Sequence, residues 1–415
     1  GHRGRSAAAH DAGGAAAALV SRDVPAGVPA IRVLDVRRAL GDLAGHVLTA
    51  LRDSSQPPVV VAVTGSVGKT TTKDLLAQVL AADGATVASA ASFNNEIGLP
   101  LTVLRADRQT RYLVLEMGAS GVGEIAYLTS VAPPDIAVVL GVGSAHLGEF
   151  GSVELIAQAK SEIVAGLVPG GCAVLNADDP QVMAMAALAD RVFTFGRHQG
   201  DVTTAQVGIE PFGRSSFDLV VGRTRVRVDL GLHGEHNITN ALATAAAAIA
   251  GGLAPGVVAE ALTAAKTLSP HRMDLRERPD GVTILDDAYN ANPDSMAAGL
   301  QAVTAMAAAT GRRPVAVLGE MLELGEHTDG EHRRVGELAA ELNIGLLVVV
   351  AESAAEIAAG AKATGGCIEV VQVPDNRAAK QVLDELLSPG DIVLVKASNG
   401  AGLWQLADEL VGAAQ

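Results

Sequence analysis

The chain has 415 residues, 49 % hydrophobic but only 2 % aromatic, with a formal net charge of -15. That length exceeds one core and predicts two or three domains packed from Ala, Val, Leu and Ile, while the acidic balance opposes nonspecific nucleic-acid binding, which needs Lys and Arg against phosphates. Cys172 and Cys367 are the only cysteines and lack CxxC spacing, so neither a disulfide framework nor a Cys-based zinc site is expected, and a reducing cytoplasm fits best.

Residues 1–55 are Ala-rich, with a strand candidate at Ala30 to Leu34 and a helix from Val36 to Leu51. That is thin for an independent domain. No signal peptide is evident, and a start at Gly1 reads as incomplete. Asp53-Ser-Ser-Gln-Pro-Pro58 reads as a linker, since paired prolines interrupt helix and strand alike. Val59 to Val63 is then a strand covered on both faces. It runs into Thr64-Gly-Ser-Val-Gly-Lys-Thr-Thr71, and Lys69 to Ala82 reads as a helix closed by Gly84.

A Gly-bounded loop at a helix N-terminus is a phosphate cradle. Unpaired backbone N–H groups and the helix dipole attract phosphate oxygens, Lys69 adds a mobile positive charge, and the Thr70 hydroxyl is placed to ligate Mg²⁺. An ordinary Gly-rich turn has no call for Lys69 and Thr70 together after a buried strand. The generic pattern G-x-x-x-x-G-K-[ST] wants Gly where this chain has Val63, so the loop is a shorter variant.

From 56 to 266, strands and helices alternate as in a parallel sheet with helices on both faces. Tyr112 to Leu115 and Ile136 to Leu140 are further strands, so Glu116 and His146 fall at the same C-terminal sheet edge as the loop, where ligands bind in open parallel sheets. Phe217 to Leu230, with a turn at Gly222-Arg223, reads as an antiparallel hairpin on the domain's edge. Ala241 to Ala254 is Ala-rich but short of the roughly 18 to 20 apolar residues of a membrane span, so no membrane insertion is expected. From 267 to 415 a second βα series follows, with strands at Val282 to Leu285, Pro314 to Leu318, Gly345 to Val350, Ile368 to Val371 and Ile392 to Val395; this predicts a second doubly wound, Rossmann-like domain.

Together the motifs resemble the ATP-dependent Mur ligases of peptidoglycan synthesis. They are the T-G-S-V-G-K-T-T loop, Phe93-Asn-Asn-Glu-Ile-Gly98, Glu116-Met-Gly118, Ala145-His146-Leu147, Ala159-Lys160, Asn176-Ala-Asp-Asp179, Gly234-Glu-His-Asn-Ile-Thr-Asn240, Asp286-Asp-Ala-Tyr-Asn-Ala-Asn-Pro293 and Gly319-Glu-Met-Leu-Glu-Leu-Gly325. The pairing of N-N-x-I-G with D-D-x-Y-N-A-N-P resembles the branch that adds D-alanyl-D-alanine. The resemblance implies a three-domain α/β architecture: an incomplete N-terminal domain for the UDP-linked substrate over 1–55, a central P-loop ATPase domain over 56–266 and a ligase domain over 267–415. It implies a cytoplasmic, monomeric enzyme with ATP and Mg²⁺ as cofactors. The substrates would be UDP-MurNAc-tripeptide and D-Ala-D-Ala, joined through an acyl phosphate with release of ADP and phosphate.

Site roles follow from the same resemblance. Thr64, Gly65, Ser66, Val67, Gly68, Lys69, Thr70 and Thr71 would hold the triphosphate, with Asn237, Asn240, Arg272, Asp287 and Asn290 completing the nucleotide site. Asn94, Asn95, Tyr289, Asn292, Lys396 and Ser398 would meet the peptide substrates. Lys69, Glu116, His146 and Lys160 would carry the chemistry, and Thr70, Glu116, His146 and a carbamylated Lys160 would hold metal. By position Glu116 is a Mg²⁺ ligand or helps deprotonate the incoming amine; without the family it is a solvated strand end, His146 a capping or packing residue, Lys160 a snorkelling surface lysine on a helix, Arg272 an interdomain ion-pair partner, and the asparagines turn or capping residues. The loop and the D-D-A-Y-N-A-N-P turn fall in different domains, so closure onto one ATP is expected.

Two departures limit the carry-over. Val395-Lys-Ala-Ser-Asn399 stands where many relatives have Val-Lys-Gly-Ser-Arg, and Gly1-His2 with Ala15 to Val20 only faintly resembles the uridine-binding stretches, so no uridine contact is assigned. A sister Mur or folylpolyglutamate-type ligase is an alternative, although the latter loop usually has Gly in place of Thr70. A non-catalytic ATP-binding fragment is another.

Overall fold

The computed structural model describes residues 16–23, 28–143 and 147–412, apart from the side chains of residues 147 and 149. His146 and the Gly1-His2 stretch lie outside the described residues.

The central nine-stranded sheet has the order β11-β10-β9-β8-β7-β6-β3-β5-β4. β3 (Val59–Thr64) lies between β5 (Tyr112–Glu116) and β6 (Ile136–Val139), parallel to both. Parallel pairing continues through β7 (Cys172–Asn176) and β8 (Arg191–Phe195) on one side and to β4 (Thr86–Ala88) on the other. Successive side chains of β3 face opposite ways. Val61 and Val63 pack into a layer containing helix Asn237–Ala250, while Val60 and Ala62 pack into another with Leu115 and Ile163. Helix Asn237–Ala250 buries Ala241, Ala243 and Ala245 to Ala248 on several faces, as expected of a helix enclosed in a core.

The sequence predicts a two-stranded hairpin at the edge. The structure has three antiparallel strands there: β9 (Val202–Ile209), β10 (Arg214–Val221) and β11 (Thr224–His233). β9 escapes the alternation rule because the pairing slips between Ser216 and Asp218 and Gln206 takes a φ of 48°.

Helix Val36–Arg52 does not form a core of its own among the described residues. Its Ala44, Leu48 and Leu51 share a cluster with Val60, Leu113 and Leu128 of the central domain. The short strands β1 (Ala18–Val20) and β2 (Ala30–Arg32) pair in parallel before it.

The second sheet has the order β12-β13-β17-β14-β15-β16. β13 (Thr283–Asp286), β17 (Ile392–Lys396), β14 (Pro314–Leu318), β15 (Leu346–Val350) and β16 (Glu369–Val373) are parallel, each within one or two residues of the reading from sequence. β12 (Asp274–Glu277), absent from that reading, is antiparallel to β13 and carries the chain in from the central domain. No described helix is long and apolar enough to cross a membrane.

Candidate active site

The C-terminal edges of both sheets face one cavity of about 980 Å³. Its lining includes Ser66, Val67, Gly68, Lys69, Thr70 and Thr71 of the loop, and Asn94, Asn95, Glu116, Asn237, Asn240, Arg272, Asp287, Tyr289, Asn290, Asn292 and Lys396 from elsewhere. The two domains touch across it. A Cβ placed on Gly143 would lie 2.5 Å from Asp294 Oδ2, at the start of helix Pro293–Thr310 of the second domain.

The shape of the loop follows from its own residues. Gly68 has φ +84°, and a Cβ there would meet Asn240 Oδ1 at 2.3 Å, so both conformation and space demand glycine. Thr64 and Ser66 are buried beneath the loop, whereas the Val67 side chain at its crest is exposed. Val67 therefore has only its backbone to offer a phosphate. Lys69 Nζ donates to the carbonyl of Gly65 at 2.7 Å, folding the ammonium back over the loop. Desolvation in the cleft pulls its pKa below the ordinary lysine value, against the opposing pull of Glu116. Ser66 Oγ accepts from Gly143 N at 2.8 Å, and Asp179 Oδ2 accepts from Val142 N at 2.8 Å, fastening the turn after β6 beside the loop.

Glu116 ends β5 in a buried position. Its Oε1 accepts from Asn94 Nδ2 at 2.9 Å; Oε2 is buried with no hydrogen-bond partner among the described residues. Thr70 Oγ1 lies 3.2 Å from Ser92 Oγ, and Ser92 Oγ also accepts from Arg272 Nη2 at 3.2 Å. The Arg272 guanidinium sits 4.3 Å over the Tyr289 ring, a cation–π contact, and its Nε has no partner among the described residues.

Asn240 Nδ2 donates to Asn237 Oδ1 at 2.8 Å, and Asn237 Nδ2 donates to His233 O. The pair thus forms a stiff wall beside Gly68. Asn95 Oδ1 accepts from the amides of Ile97 and Gly98, and Asn292 caps helix Pro293–Thr310 through a capping box with Ser295; turn and cap roles are realised at both, on the cavity wall. Lys396 is buried and committed to the Asp287 carboxylate and, at 3.0 Å, to Asn290 O. Ser398 stands behind the cavity, accepting from Leu322 N at 3.0 Å.

Lys160, on helix Val153–Ala165, is 3 % exposed rather than snorkelling. No carboxylate among the described residues pairs with it. Burial, reinforced by the Lys69 charge, lowers its pKa to about 7. Ser92, Asp179, Asp294 and Glu323 carry no role in the reading from sequence, although all four sit in or beside the quoted motifs. Their convergence is a product of tertiary folding.

The family model of the Mur ligase middle domain matches residues 63–248, and that of the Mur ligase glutamate ligase domain matches residues 271–399. The chain is 47 % identical to the UDP-N-acetylmuramoyl-tripeptide--D-alanyl-D-alanine ligase of Mycobacterium tuberculosis, covering 98 % of this chain and 86 % of that protein. Among solved structures it resembles MurF from Acinetobacter baumannii, with a TM-score of 0.86 and 31 % identity over 98 % of this chain and 87 % of the other. It also resembles MurF from Thermotoga maritima in complex with ADP, with a TM-score of 0.83 and 29 % identity over 97 % and 89 %.

Proposed function

This chain belongs to the Mur ligase family, in the branch that adds D-alanyl-D-alanine, and from that premise we propose how its cleft carries out the reaction. It is an ATP-dependent ligase that joins D-alanyl-D-alanine to UDP-MurNAc-tripeptide in peptidoglycan precursor synthesis.

In the proposed sequence, a terminal carboxylate oxygen of the tripeptide attacks the γ-phosphorus of ATP. One O–P bond forms, the bridging bond to the β-phosphate breaks, and ADP leaves. The dipeptide amine, having lost a proton, then attacks the acyl carbon; a C–N bond forms and phosphate departs with the former carboxylate oxygen. Two anions must meet in the first step, so positioning and charge neutralisation supply most of the rate.

Residues 64–71 cradle the triphosphate, with Lys69 on its outer phosphates. Arg272 and Tyr289 bring the second domain onto the nucleotide beside Asn237, Asn240, Asp287 and Asn290. Asn94, Asn95 and Asn292 border the peptide side. Lys396 acts there through Asp287 and Asn290, and Ser398 by holding Leu322. The donor set suits Mg²⁺, since the Thr70 hydroxyl and Glu116 carboxylate are hard oxygen ligands and Glu116 Oε2 is buried without a partner among the described residues. Thr70 and Glu116 would hold that ion, with His146 as a further ligand, and when bound it offsets phosphate charge. Lys160, neutral over much of the physiological range, can add to CO₂ and present a carbamate as a further anionic oxygen ligand. The enzyme would work as a cytoplasmic monomer.

The observation that carries this reading is one cavity holding a phosphate loop from the first domain and Arg272, Tyr289 and Asn290 from the second. The test is phosphate release, expected only when ATP, tripeptide and D-Ala-D-Ala are all present. Product with glutamate or a diamino acid, but not with the dipeptide, would overturn it.

A further inference from the structure

The phosphate-loop helix and the D-D doublet both grip the short linker that delivers Arg272. Upstream, Gln78 bonds both backbone groups of Lys266 at 2.9 Å, and Ser269 Oγ donates to Asp74 Oδ2 at 2.6 Å. This fastens residues 266–269 to helix Lys69–Ala81. Downstream, the chain passes through two left-handed, non-glycine residues, His271 with φ 57° and Met273 with φ 52°, on either side of Arg272. Such conformations are unfavourable for L-residues and persist only where surroundings hold them.

Here the holders are identifiable. His271 Nδ1 lies 2.7 Å from Asp286 Oδ2, and that carboxylate is fully buried. Asp286 Oδ1 accepts from Ala288 N at 3.2 Å, and His271 O accepts from Tyr289 N at 3.1 Å. Asp287 Oδ1 accepts from Met273 N at 3.2 Å. Trp404 covers the imidazole, ring centroids 5.8 Å apart. Burial raises the Asp286 pKa, and the His271 hydrogen bond opposes that rise. Asp408 lies near the pair, and Arg276 bonds both Asp408 and Asp274.

We propose that His271 and Asp286 are positioning residues for the ligase reaction: their contact locks the linker in its left-handed form, stacks Arg272 on Tyr289 and aims it at Ser92 beside Thr70. The first aspartate of the doublet then serves the linker, and the second divides between the linker amide and Lys396. The proposal rests on the assignment of Arg272 to the nucleotide.

The test is a double-mutant cycle on the full-length enzyme with H271G, which keeps the left-handed backbone accessible, together with R272A and the double variant. H271G is expected to raise KM for ATP about tenfold with little change in kcat, and to have no further effect in the R272A background, because the imidazole acts only through the guanidinium. D286N should follow H271G. H271N, which tolerates the same φ and can donate to Asp286, should restore near-wild-type KM. Additive effects of H271G and R272A, or an H271G enzyme with wild-type KM, would overturn the proposal. Hydrogen exchange separates it from the reading beneath it: amides of residues 271–275 are expected to exchange faster in H271G and D286N, and unchanged exchange sinks the clamp. Wild-type KM for ATP in R272A sinks the nucleotide assignment instead.

Discussion

A lysine that is buried, lacks a described carboxylate partner and has a pKa of about 7 makes a quantitative demand on Lys160 chemistry. At pH 7.5 an ordinary lysine with a pKa of 10.5 is neutral about once in a thousand molecules, whereas Lys160 is neutral in about three quarters of them. Only the neutral amine adds to CO₂; the N–C bond forms and a proton leaves, giving a carbamate. The burial that disfavours the ammonium therefore raises the reactive fraction by several hundredfold, on the order expected from a shift of this size. With ¹³C-bicarbonate and Mg-ATP, a carbamate resonance should appear in wild type and be absent in K160M. The rate should fall in CO₂-depleted buffer and return on adding bicarbonate. Stability supplies an independent check. Between pH 7 and 10.5 the unfolded chain binds a proton that folded Lys160 does not, so stability rises with pH by at most about 1.4 kcal/mol per unit. K160M should lose that slope, gain melting temperature at pH 7.5 and lose activity. A free amine at Lys160 with Mg-ATP bound, together with a bicarbonate-independent rate, would refute the reasoning.

Other residues give sharper single readouts. G68A forces a Cβ to 2.3 Å from Asn240 Oδ1 at a left-handed φ; about 1–2 kcal/mol of strain plus displacement of Asn240 should lower the melting temperature and raise KM for ATP, and unchanged values of both would count against the loop geometry. E116Q keeps the shape and removes the charge, so kcat should drop by roughly 10²–10³ while ADP affinity, measured by calorimetry, changes little. A normal kcat in E116Q would remove Glu116 from the chemistry. K396M strands the partly buried Asp287 carboxylate on the cavity wall, at a cost of up to about 3 kcal/mol by chemical denaturation; K396M/D287N should recover part of it, and a fully additive double variant would deny the pairing.

The strands that position the chemistry were legible because they are buried on both faces and therefore read as unbroken Val-rich runs, as in Val59 to Val63 and Leu346 to Val350. β12 was not, because Asp274-Leu-Arg-Glu277 is short, half-buried and charged, and pairs at an edge where pattern is weak. The burial of Lys160 was within reach of spacing alone: it lies four residues from both Ile156 and Val164, on the apolar side of its helix. Asn292 and Asn95 show why motif residues resist a single reading, since the polar atoms that shape the turns also border the cavity. Convergence of Ser92, Thr70 and Arg272 over 180 residues of chain depends on the domains meeting, and no local pattern encodes it.

The central claim is that the cleft transfers the γ-phosphate of ATP to a peptide carboxylate before the amide bond forms. Tripeptide labelled with ¹⁸O in its terminal carboxylate tests this directly, by mass analysis of the phosphate released on forming product. One labelled oxygen in each phosphate is the expected result; unlabelled phosphate alongside normal product would contradict it.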